Sequence, residues 1–299
     1  FLAAISAYFI LAVVFLVDKH LLTDSIPSPK VYSFFVGILG ILVLILIPFI
    51  DFHIPGISQI ALSLSAGAIF IYGLFWFYKA LKSFEPSRIV PAVGGITPIF
   101  TFSLVFIFSG GKETLNLWEF VAFILLVLGS VLITLERSKK ISLGSLRISV
   151  IAAFFLALSF VLTKYVYLQQ PFWSGYIWIK IGGCLMAAGF LLTNEAKKEL
   201  FKTKIKFPKK TAGLFLSNQT MGAGANVLQN WAIALAPLAY IAFINALQGI
   251  QYAFLLILAV LFSLKFPQVL KEEVSKEAIL QKIMAILLIS FGLTILAFK

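Results

Sequence analysis

The chain has 299 residues, of which 61% are hydrophobic and only 12% charged, at a mean hydropathy of +1.04. Ordinary globular domains have about a quarter of their residues charged, so a water-soluble fold is excluded. The formal net charge of +12 would suit a nucleic acid, but the basic residues sit in short loops between apolar runs and read as a topology signal, so no nucleic-acid partner is expected.

Reading apolar runs between polar breaks predicts ten helices, near 1–22, 31–50, 59–80, 88–109, 117–135, 147–167, 175–193, 211–233, 239–264 and 281–298. Each is long enough to cross a hydrocarbon core of roughly 30 Å. Lipid satisfies no backbone hydrogen bonds, and period-2 alternation is missing, so the expected fold class is an all-α polytopic membrane protein in a lipid bilayer. The short connections 51–58, 110–116 and 168–174 force antiparallel neighbours.

The first run begins without a basic n-region or a small-residue cleavage site and is expected to be a true span rather than a signal peptide. It ends in Asp18, Lys19 and His20. Proton relays place their carboxylates deeper in the membrane than this, which weighs against proton coupling through Asp18. Lys19 and Lys164 end the first and sixth helices, where each can neutralise an anion or snorkel to the headgroups. Tyr8, Tyr32, Trp118, Trp173 and Trp178 lie near helix ends and read as interfacial belt residues. Gly37, Gly40, Gly182 and Gly183 read as sites of close helix packing.

Asp51 and His53 share a loop, but two residues do not make a metal site. Helix three carries Tyr72 and Trp76, and Lys180 lies about five residues inside helix seven. Cys184, the single cysteine, allows neither a disulfide framework nor a Cys-based metal cluster within the chain. On helix eight Gln219, Asn226 and Asn230 follow at spacings of seven and four and share a face. Helix nine repeats the device with Asn245, Gln248 and Tyr252, with Gln251 beside them. Uncompensated polar groups in hydrocarbon cost several kcal/mol, so both stripes must meet protein or water. Structural contacts between helices account for any one of them; two aligned stripes favour a cavity.

The halves repeat. Residues 12–19 align on 157–164, Ala80-Leu81 on Ala234-Leu235, Gly95-Ile96 on Gly249-Ile250, and Gly129 on Gly292. Five helices per copy is an odd number, so the copies, 1–140 and 141–299, are expected in opposite orientations, the architecture of alternating-access carriers. All Lys and Arg except Lys112, Lys164, Lys180 and Lys299 fall in odd-numbered loops. Those loops are expected to be cytoplasmic and both termini outside.

The chain resembles the drug/metabolite transporter superfamily, EamA type, over essentially its whole length. The resemblance rests on Tyr78-Lys79-Ala80-Leu81-Lys82, Thr97-Pro98-Ile99-Phe100, Glu113 and Gly129, answered by Ala234-Leu235, Glu272-Glu273 and Gly292. It implies a solute carrier or exporter of the bacterial inner membrane and names no substrate. No paired Asp residues, His-Glu-x-x-His or Ser-His pairing is present in a span, so neither an enzyme nor a cofactor is expected. A channel would not need a repeat inverted within one chain, and a membrane scaffold would show no flux. The amides and aromatics on helices three, four, eight and nine favour a polar or zwitterionic metabolite such as an amino acid. An anion becomes the better fit if the lysines reach the cavity, and a monomer suffices.

Overall fold

The computed structural model describes residues 1–22, 28–83, 86–132, 143–193, 197, 209–251, 254, 258 and 276–297. Among these the regular structure is all helical. The α-helices are α1 (Leu2–His20), α2 (Pro29–Leu39), α3 (Ile57–Ser83), α4 (Pro86–Phe108), α5 (Leu117–Leu132), α6 (Leu143–Gln169), α7 (Phe172–Phe190), α8 (Lys209–Leu235), α9 (Ile241–Ala246) and α10 (Lys276–Ala297). Each predicted run is largely helical over its described residues. The second half of the run predicted over 239–264 lies largely outside the described residues, as do Tyr252, Glu272, Glu273 and most of the charged loops that set the topology expectation.

Local chemistry explains the helix ends. The Ser28 hydroxyl accepts from the Val31 N–H at 3.5 Å, and Pro29 fills the first turn, where its missing N–H costs nothing. At Gly40 the helix tightens into a 3-10 segment, Gly40–Phe49, that contains Pro48. A 3-10 turn rises about 2.0 Å per residue against about 1.5 Å in an α-helix, so these ten residues reach further than α-helix would. At the start of α5, Asn116 and Glu119 form a capping box: Glu119 N–H donates to the Asn116 side chain at 3.0 Å, and Asn116 N–H to Glu119 at 2.9 Å.

The interior is assembled by α3 packing on α6 and α7, α4 on α6, α1 on α8, and α5 on α10. Small residues set the closest approaches. Gly67 of α3 lies against the Ile179 carbonyl of α7, and Gly182 against the Leu64 backbone, leaving no room for a Cβ at either. A Cβ on Gly37 would come within 3.1 Å of the Gly183 carbonyl. The expected packing role is met at Gly37, Gly182 and Gly183, whereas a Cβ at Gly40 would make only ordinary contact, 3.6 Å from Lys180 Cδ. The α5–α10 contact is reciprocal. A Cβ at Gly129 would lie 2.6 Å from Ile289 and 2.9 Å from the Ala285 carbonyl, and one at Gly292 would lie 2.9 Å from Leu126 and 3.0 Å from the Ala122 carbonyl. The alignment that places Gly129 on Gly292 also places Ala122 on Ala285 and Leu126 on Ile289.

Among the described residues three helical stretches, Pro29–Phe49, Ile57–Lys82 and Leu146–Gln169, are long and apolar enough to cross a membrane. Large apolar side chains face outward along the molecule, among them Ile45, Phe49, Leu128, Leu185 and Phe291. Two belt expectations are overturned: Tyr8 is 1% exposed and Tyr32 fully buried, because each hydroxyl finds a protein partner inside the bundle. Trp118, at 62% exposure, does face outward.

Candidate functional site

α8 is a polar helix among apolar ones, and it presents two amide stripes displaced by one residue. Asn226 and Asn230 form the first. The Lys180 ammonium of α7 donates to Asn226 Oδ1 at 2.7 Å, and the Tyr176 hydroxyl donates to the same oxygen at 3.1 Å. Asn230 Nδ2 donates to the Asn226 carbonyl at 2.8 Å and to its Oδ1 at 3.1 Å, while the Tyr167 hydroxyl of α6 donates to Asn230 Oδ1 at 2.8 Å. The Lys180 ammonium also lies 5.0 Å from the Tyr176 ring centroid and 6.0 Å from that of Phe70 on α3. Its stem runs past Gly40, where a Cβ would sit 3.6 Å from Lys180 Cδ. Lys180 is thus a partly buried cation held by neutral groups, with no carboxylate beside it among the described residues. It points into the helix bundle and not to an interface.

Asn218 and Gln229 form the second stripe, facing α1. Asn218 Nδ2 donates to Asp18 Oδ1 at 2.7 Å and approaches the Val14 carbonyl at 3.4 Å. The Tyr32 hydroxyl donates to the same Asp18 oxygen, and Tyr78 of α3 hydrogen-bonds that carboxyl as well. Gln229 Nε2 donates to the Tyr8 hydroxyl at 3.4 Å, and Tyr8 donates onward to the Ile244 carbonyl at 2.9 Å. Asp18 is 1% exposed, although it lies near the end of α1. His20, one turn-edge further, is exposed.

The other candidates divide. Gln219 is half-buried; it follows Asn218 directly in the chain and lies about two turns before Asn226. Tyr72 and Trp76 are half-buried on α3, Tyr72 edge-on to Phe155 at 4.8 Å and Trp76 under the Lys79 ammonium at 4.6 Å. Asn245 joins α9 to α4 through Thr101 Oγ1 at 2.9 Å, which is a contact between helices. Gln248 is half-buried, and Gln251 is buried with neither amide atom hydrogen-bonded. Lys164 donates to the Ala234 carbonyl at 2.9 Å and so caps the last turn of α8; it neither snorkels nor meets Lys180. The Lys19 side chain lies outside the described residues. His53 and Asp51 are exposed, with 3.7 Å between His53 Nδ1 and the carboxylate, and no group of three metal-ligating side chains occurs among the described residues.

No family model matches the sequence, and no curated protein matches it either. Solved structures do: one, described only as "Crystal structure of protein", superposes with a TM-score of 0.68 at 13% identity, over 99% of this chain and 94% of that one. That likeness shows a shared overall fold.

Sequence reasoning passed over Tyr167, Tyr176, Asn218 and Gln229. A signal existed for the last two: Asn218, Ala225 and Gln229 repeat the seven-and-four spacing of Gln219, Asn226 and Asn230 one position earlier. The tyrosines carried none, because Tyr next to helix ends is also the residue of membrane interfaces.

Proposed function

We propose that the protein is a membrane carrier of the drug/metabolite transporter type, EamA-like, that binds a small polar metabolite bearing a carboxylate, such as an amino acid. It moves that solute by alternating access between two inverted five-helix repeats, 1–140 and 141–299, in a bacterial inner membrane, with both termini outside. The observation that carries the reading is Lys180. An ammonium held among helices by an amide oxygen and a tyrosine ring, with no acidic partner among the described residues, is a charge awaiting an anion. Asn226 and Tyr176 touch it, and Asn230 and Tyr167 extend the same network, with groups that both donate and accept, which suits a zwitterion. The reciprocal packing of Gly129 and Gly292 supports a two-fold relation between halves, and the outward apolar side chains support a lipid environment.

The deciding experiment is a thermal-shift screen of purified protein in detergent against amino acids, monocarboxylates, sugars, nucleosides and phosphorylated metabolites. A ligand at a hundred times its Kd adds about 2.7 kcal/mol to native-state stability. Amino acids should raise the melting temperature, sugars and nucleosides should not, and Lys180→Gln should remove the shift. A flat response to the whole panel, or shifts that survive both Lys180→Gln and Asn226→Leu, would reject this site.

A further inference from the structure

Asp18 presents the opposite chemistry to Lys180 and plays no part in the solute site. Its carboxyl is 1% exposed, and no cation acts on it among the described side chains. The groups that face it are the Tyr32 hydroxyl from α2, the Tyr78 hydroxyl from α3 and the Asn218 amide from α8; on α1 itself the neighbouring His20 is exposed. Tyr32, Tyr78 and Asn218 are themselves 0%, 4% and 2% exposed, so the carboxyl is shielded from bulk solvent. An ionised carboxylate without a positive partner in such a place carries a desolvation penalty of several kcal/mol.

The second observation is the unmet acceptor. Asn218 donates through Nδ2 to Asp18 Oδ1 at 2.7 Å, yet its own Oδ1 is buried with no hydrogen-bond partner. Among the described residues the Tyr32 and Tyr78 hydroxyls are directed to Asp18, and no donor reaches that oxygen. A proton on the carboxyl would supply such a donor: an acid O–H turned to the amide oxygen, with the amide N–H on the acid carbonyl, would satisfy both groups.

We propose that Asp18 and Asn218 form a proton-binding site, and that loading and unloading this proton is coupled to the transport cycle. The balance is one proton taken up by the carboxylate and one released, with no other bond made or broken. The link to the solute site is structural. Asn218 and Asn226 lie on one helix, about 12 Å apart along its axis, and the helix that brings Tyr32 ends at the Gly40 that flanks the Lys180 stem. Losing the proton orphans Asn218 Oδ1 and weakens the α1–α8 contact, while binding it restores the pair. The coupling rests on the carrier reading; the proton site does not.

Two measurements separate them. Infrared difference spectra of the purified protein, taken as pH falls from about 9 to about 5, should gain a carboxylic-acid C=O band that is absent in Asp18→Asn and displaced in Asn218→Leu. If the spectra of wild type and Asp18→Asn are the same, the proton site is overturned. In proteoliposomes given a radiolabelled mixture of amino acids, a one-unit pH gradient should drive accumulation of up to about tenfold in the wild type. Asp18→Asn should lose that accumulation while keeping solute counterflow, which also shows that it folds. Gradient-driven accumulation that persists in Asp18→Asn overturns the coupling. Wild-type vesicles that move no amino acid with or without a gradient overturn the carrier reading and the coupling together, and the band then decides the proton site by itself.

Discussion

Lys164 and Lys180 enter the bundle from successive helices and end in different chemistry. The first meets a backbone carbonyl at the last turn of α8, the second an amide side chain in the middle of it. Lys164→Met should therefore lower thermal stability by about 0.3–2 kcal/mol, the range for a cation at a helix C-terminus, and leave the ligand profile of the thermal-shift screen unchanged. Tyr167→Phe removes one hydrogen bond to Asn230, worth about 0.6 to 2 kcal/mol between membrane helices. Because Asn230 in turn orients Asn226, that variant should weaken amino-acid binding measurably while the fold persists. Asn245→Leu, by contrast, removes a bond between α9 and α4 and should cost stability with little change in ligand affinity, read in the same screen. Sequence separated the lysines only by depth, Lys164 near a helix end and Lys180 inside its span, and named a partner for neither. Only the partner atom distinguishes a cap from a binding group.

Helices were the most legible level, because a run of apolar residues bounded by Gly, Pro and charge specifies a helix whatever it later packs on. The conversion of the second helix to 3-10 geometry at Gly40 had no such signature: its residues are as apolar as those before it. The α5–α10 pair illustrates what a glycine can and cannot announce. Gly129 and Gly292 were visible as matching positions, but the depth of their mutual contact comes from Ala122, Leu126, Ala285 and Ile289 arriving opposite them. Gly129→Leu and Gly292→Leu should each destabilise the protein by about 1–3 kcal/mol through overpacking. Since both act on one interface, the double variant should fall short of or exceed their sum, which detergent melting curves of the three variants would reveal.

For the molecule as a whole, the proposed membrane topology rests on the distribution of Lys and Arg. A reporter fused after Lys299 should be active only on the outer side of the inner membrane; activity in the cytoplasm would reject the orientation or the helix count. What the residues determined by themselves was the helical class, the positions of the helices and the polar character of α8, all of which depend on local composition and period. Which amides belong together was decided by tertiary structure. Asn226 and Asn218 lie on one helix with the same kind of side chain, yet one meets Lys180 from α7 and the other Asp18 from α1. The physical reason is rotational: eight residues turn an α-helix by two full turns and about 80° more, so the two amides face different neighbours, and neighbours are a property of the packed bundle.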